Sequence, residues 1–235
     1  MSNLTVGAAA LPQSKSVFER IVGIFVSPEP TMQDIAARPS WVLPLIIVAL
    51  AAALSGFFLK DVILQTEIEK LEQKNMPAEQ IEQARSTMEK VIPYMAAAMP
   101  FIFTPLMYLC IAGVLMLMGN VILGGETKFS TLFSVTCWSG VITVLSSLIN
   151  VPLMINRQTM ESATSLSLLL SPDNKDSFLY SLFTKIDLFW IWWVVVLGFG
   201  FAAAYKFSTR KAMTTVFILW AIYVVVATAL GSMFS

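Results

Sequence analysis

The chain contains no histidine. That absence removes the commonest general base and the commonest zinc ligand together, so most hydrolase and metalloenzyme schemes lack their working residue. Phosphate loops are missing too: Gly124-Gly125 has neither the spacing nor the following Lys-Ser/Thr of a P-loop and reads as a turn. Paired-aspartate catalysis within a membrane needs two acids at depth, and only Asp187 comes near such a position. A Ser-Lys dyad needs a lysine inside a span, and none is there. No catalytic, cofactor-binding or metal-ligating residue is assigned, and no cofactor is expected. Charge is also scarce, at 13% of residues with a formal sum of zero. The basic residues are scattered and not interleaved with aromatics, so nucleic acid is not an expected partner. Cysteine is nearly absent: Cys110 and Cys137 fall in apolar stretches, where thiols pack as small apolar groups without building a disulfide framework. Met1 to Pro12 has no basic segment ahead of an apolar run, so no cleavable signal peptide is expected and the first span would direct insertion.

What the chain does have is hydrophobic length. Apolar residues make up 57% of it, and several uncharged runs approach the ~20 residues that cross ~30 Å of hydrocarbon. The pattern predicts an all-α, single-domain integral membrane protein over residues 1–235, with spans at 41–59, 93–123, 129–154, 188–205 and 212–234. Within the second span Pro100 and Pro105 predict a kink, its earlier part lying at the interface. Residues 60–92 turn charged and read as a helical hairpin outside the bilayer. Its glutamates, Glu67 to Glu89, alternate with Lys70, Lys74, Arg85 and Lys90 as on a solvated face.

The third span carries a polar stripe. At 3.6 residues per turn, Thr136, Ser139, Thr143, Ser146, Ser147 and Asn150 share one side, opposite Trp138, Val141, Leu145, Leu148 and Ile149. Two readings stand. The hydroxyls bond carbonyls one turn back while small residues such as Gly113, Gly119, Gly198 and Gly200 let helices approach, or the stripe lines a solute or lipid path. Asp187, at the head of the fourth span, is expected to accept bonds from the far end of the third, with Arg157 or Lys185 as counter-ions. Trp190, Trp192 and Trp193 read as an interfacial belt, and Ser171-Pro-Asp-Asn174 as a turn in a polar connector.

Ahead of the spans, residues 1–40 form an arm. Val17, Phe18, Ile21, Val22, Ile24 and Phe25 lie largely on one side of a short helix, with Glu19 and Arg20 on the other. This predicts an amphipathic helix along the membrane surface, with Phe18, Ile21 and Phe25 as a candidate partner surface, or else a solvated arm. Ser27-Pro28 starts a second helix that ends at Arg38-Pro39.

Several short stretches carry a resemblance: Phe18-Glu-Arg-Ile21, Phe25-Val-Ser-Pro28, Arg38-Pro-Ser-Trp41 with Pro44, Gly124-Gly-Glu-Thr-Lys-Phe129 leading into Leu132-Phe-Ser134, Asp187-Leu-Phe with Trp190, and Ser208-Thr-Arg-Lys-Ala212. In this order and on a five-span layout they make the chain resemble the Yip-domain family of small polytopic membrane proteins. The resemblance covers nearly the whole chain and is that of a bacterial member. It implies an inner-membrane location, a cytoplasmic N-terminus, an outer C-terminus and no enzymatic activity. Binding of the Ypt/Rab GTPases that give the eukaryotic members their name is not implied, because the arm is short. The expected role is a scaffold or interaction protein that organises membrane proteins or lipids, with membrane lipids and a protein partner or self-association as partners. The alternative is a transporter or lipid-translocating protein working along the third span's polar side.

Overall fold

Apolar length dictates the architecture. A computed structural model describes residues 15–171 and 177–234, and five of its helical segments are long and apolar enough to cross a membrane: Val42–Gln73, Pro100–Ile122, Phe129–Arg157, Leu188–Tyr205 and Thr209–Gly231. Among the described residues there is no strand, only an isolated antiparallel bridge between Ser165 and Asp187. The expected all-α polytopic fold is therefore what the chain adopts. The N-terminal dozen residues and most of the Ser171-Asn174 turn lie outside the described residues.

Among the described residues ten α-helices follow in order. α1 (Val17–Val26) and α2 (Pro28–Ala37) form the arm, and α3 (Val42–Gln73) is the first span. α3 does not stop near Lys60 as the charge change suggested. Nothing there breaks a helix, so the span continues unbroken as the first arm of the hairpin. α4 (Ala78–Ala98) returns along it and takes Pro93 into its interior. The break falls at Met99, because Pro100 suits a first helical position, so the second span begins at 100 and not at 93. It comprises α5 (Pro100–Met116) and a π-helical extension, Leu117–Ile122, with Pro105 inside α5. Gly56 fixes the α3–α4 crossing: a methyl group there would run into the Ala96 carbonyl.

The third span is two helices, α6 (Phe129–Ser139) and α7 (Ile142–Arg157), joined by a tight turn at Gly140-Val141. The Val141 and Thr143 amides bond carbonyls three residues back, tightening the backbone. Glycine is required at 140 because the Tyr108 hydroxyl of α5 occupies the space a side chain would take. α8 (Phe178–Thr184) lies in the connector, α9 (Leu188–Tyr205) is the fourth span and α10 (Thr209–Phe234) the fifth.

Every residue of α6 from Thr131 to Ser139 is buried, which makes this helix the axis of the bundle. α2, α3, α5 and α9 pack around it. The arm is thus part of the core as well as a surface feature: Thr31, Met32 and Ile35 of α2 are fully buried. They fit because Gly200 leaves α9 thin where Val135 and Met32 meet it. The aromatic cluster at the head of α9 also departs from a belt. Trp193 turns inward, 7% exposed, with Trp190 edge-on against it.

Contacts sort the connections into two ends. Thr209 reaches Glu29 of the arm, Lys211 reaches the Leu123 carbonyl, and Tyr205 donates to Asn120, so the arm and the loops around 123–128 and 206–208 share one end. The connector between α7 and α9 lies at the other, with the hairpin on that same side by the alternation of spans.

Candidate interaction surface and buried polar clusters

The arm is held by a buried charge. The Ser16 hydroxyl accepts from the Glu19 amide at 3.2 Å while the Glu19 carboxylate accepts from the Ser16 amide at 2.6 Å, a reciprocal cap that starts α1. Hydrogen bonding from Ser16 to the carboxylate, from its backbone amide foremost, holds the Glu19 carboxyl below its ordinary value. Arg20, expected opposite the apolar side of α1, points inward and is 7% exposed. Its Nε donates to Asp34 at 2.8 Å and its Nη1 to the Ser40 hydroxyl at 2.7 Å, while the guanidinium lies 5.7 Å from the Trp138 ring centre. Ser40 completes the cluster: its amide donates to the Ser134 hydroxyl at 2.9 Å and its carbonyl accepts from the Trp138 indole at 2.6 Å. Arm, first span and third span are tied at one point.

With Arg20, Gly23 and Ile24 turned inward, the apolar side of α1 faces out. Phe18 is 74% exposed and Val26 76%, with Val17 and Val22 beside them. Ile21 and Phe25 sit at the seam, half-buried and packed on the core, so of the three candidate partner residues Phe18 alone stands fully clear. Ser27 does not cap α2 with its side chain; its carbonyl accepts from the Thr31 hydroxyl instead.

The polar stripe of the third span is distributed over two helices. The Thr136 hydroxyl donates to the Leu132 carbonyl at 2.9 Å, Ser139 to Val135 at 2.8 Å and Thr143 to Gly140 at 2.7 Å. Each therefore finds its acceptor in its own chain segment. Thr136 and Ser139 have no exposure, while Thr143, Ser146 and Ser147 are half-buried. Trp138 and Val141, assigned to the opposite side, are buried too; Leu145, Leu148 and Ile149 are exposed. Of the glycines named as its packing partners, Gly200 packs on the third span, against Val135 of α6, while Gly113 meets nothing, Gly119 meets Tyr205 and Gly198 meets Met213.

Asn150 and Asp187 do come together, through residues that periodicity could not flag. Asp187 is 3% exposed and caps α9, one oxygen accepting from the Phe189 amide at 2.8 Å and the Trp190 amide at 3.4 Å. The other oxygen accepts from the Ser162 hydroxyl at 2.6 Å and from the Thr164 hydroxyl. Asn150 donates to Thr164 at 3.1 Å and accepts from the Ala163 amide at 3.1 Å. Hydroxyls and amides, not Arg157 or Lys185, are the partners of this carboxylate. Nearby, the Tyr180 hydroxyl donates to Glu161 at 2.7 Å; that bond first, and burial second, raise the phenol's pKa above its ordinary value. Among the described residues no group of acids and cysteines could hold a metal ion, and Cys110 and Cys137 are both free.

One family model, the Yip1 domain, matches residues 22–230. The chain belongs to the Yip1-domain family. Neither the curated proteins nor the solved structures compared with it yield a match. Five apolar spans in a Yip1 domain make this an integral membrane protein.

Proposed function

We propose that this Yip1-domain protein is a non-enzymatic membrane scaffold, an interaction protein that organises membrane proteins or lipids. One observation carries the reading: α1 holds an apolar face of Val17, Phe18, Val22 and Val26 away from its own bundle, fixed there by the inward Arg20. An apolar face that is locked outward, and not left on a loose arm, is an interaction surface. The arm and the basic loop Lys206 to Lys211 share one end, which favours a cytoplasmic N-terminus and outer C-terminus, in a bacterial inner membrane. Family membership does not bring GTPase binding to this chain. The transport reading needs the third span's polar side on a wet passage, and hydroxyls bonded to their own helix speak against it.

The test is affinity purification in native-lipid particles with mass spectrometry of the bound proteins and lipids, comparing the parent with Phe18→Glu. Co-purifying species that are lost in the variant, at unchanged melting temperature, support the reading. An identical profile for both proteins contradicts it.

A further inference from the structure

Three spans part around a cavity. α5 packs on α3 and α6, and α9 on α6 and α10. The π-helical extension of α5 meets α9 at the arm end, where Tyr205 bonds Asn120. Beyond that level lies a half-open cavity of about 330 Å³, lined by thirteen residues of α5, α9 and α10 with no charge among them. At 1.5 Å per residue, Leu197 and Val216 lie roughly 10–12 Å from the arm end of their helices, and Trp190 and Tyr223 roughly 22 Å. The cavity therefore takes up roughly 10–12 Å of the depth of the spans, on the side away from the arm.

Its two ends differ. The floor is aliphatic, with Leu115, Leu197 and Val216. The upper part is ringed by Trp190, Trp193, Trp220 and Tyr223. Among the described residues no side-chain or backbone oxygen accepts from any of these four groups. Trp193 is 7% exposed, yet its N–H is not sealed off, and the residue lines the cavity. Unmatched donors at membrane depth are costly, and an occupant that brings neutral acceptors removes the cost.

Size and chemistry select that occupant. A helix with side chains is about 10 Å across, so over a depth of about 10 Å it needs roughly 800 Å³. Its carbonyls are also already bonded within the helix. Water finds no partners on the aliphatic floor. We propose that the cavity seats one acyl chain of a bilayer glycerolipid, with the ester carbonyls accepting hydrogen bonds from the indole N–H groups at its upper end. The proposal is independent of the scaffold reading, since such a lipid is present whether or not α1 has a partner.

The test uses the full chain in phosphatidylethanolamine/phosphatidylglycerol vesicles containing a trace of phosphatidylcholine with a photoreactive diazirine on one acyl chain. Cross-links are mapped by mass spectrometry. Around Cys110 and Leu197 they are expected to exceed those at Leu50 and Leu54, on the open face of α3, by about tenfold, the ratio set by a 1.4 kcal/mol preference. Val114→Trp, at a half-exposed lining position, is expected to bring the cavity yield down to the α3 level without changing the yield on α3. Trp193→Phe, which removes a donor and keeps the ring, is expected to lower the cavity yield alone. Equal yields at both places, or a cavity yield that ignores Val114→Trp, overturn the proposal in favour of bulk lipid. A Cys110–Cys110 disulfide on oxidation of the vesicles overturns it in favour of a second copy.

Discussion

At the scale of residues, two buried ionic groups set the strongest expectations. Arg20 and Asp34 pair at 2.8 Å with side chains 8% and 12% exposed. Removing one partner of such a pair costs about 3–5 kcal/mol. Arg38 remains on Asp34 at 3.0 Å, so Arg20→Ala is expected at the lower end, about 3 kcal/mol, read as a fall in melting temperature in one detergent. Arg20→Lys cannot serve Asp34, Ser40 and the Trp138 ring together and is expected to recover only part of the loss. Asp187 gives a graded pair: Asp187→Asn keeps an α9 cap and is expected to be mild. Asp187→Leu strands the Ser162 and Thr164 hydroxyls and two amides, and is expected to cost about 1–3 kcal/mol. A Leu variant as stable as the parent removes the cluster from the account. Sequence periodicity pointed to Asp187 and Asn150 because acids and amides are rare in spans. It could not point to Ser162 or Thr164, which sit in a connector with no repeat. Periodicity sets Arg20 opposite the apolar residues of α1, as found, but its burial is not legible there: its partner Asp34 belongs to another helix. That Arg20 shares its face with Gly23 and Ile24 was the available signal.

At the scale of elements, α6 and α8 carry the predictions. Ser139→Leu puts a large side chain where there is no exposure and removes a hydroxyl already bonded to Val135. The expected cost is about 1–3 kcal/mol, against little change for Leu145→Ala on the exposed side of α7. Equal tolerance at the two positions, measured by thermal unfolding, contradicts a third span packed in protein. α8 is fastened through Tyr180 and Glu161. The phenol is raised in the folded protein, so its contribution is complete below its ordinary value of 10.0 and is lost as the pH climbs through the higher folded value. Tyr180→Phe is expected to abolish that alkaline loss and to cost about 1 kcal/mol at neutral pH, checked by melting curves across the alkaline range. The apolar runs located all five spans in the sequence. Their joints were less legible: proline marked Met99-Pro100, but the turn at Gly140 depends on a Tyr108 hydroxyl from α5, which no local pattern encodes.

At the scale of the whole molecule, five crossings place the arm and the hairpin on opposite faces of the membrane. The contacts of Thr209 with Glu29 and of Lys211 with Leu123 put the fourth connection on the arm side. Topology is therefore read most directly by labelling intact cells with a membrane-impermeant maleimide, in a Cys110→Ala background where Cys137 is buried. Gln83→Cys on the exposed face of α4 is expected to react from outside, and Ser208→Cys only after the membrane is opened. Labelling of Ser208→Cys in intact cells, or of both positions, contradicts a five-span bundle with its arm in the cytoplasm.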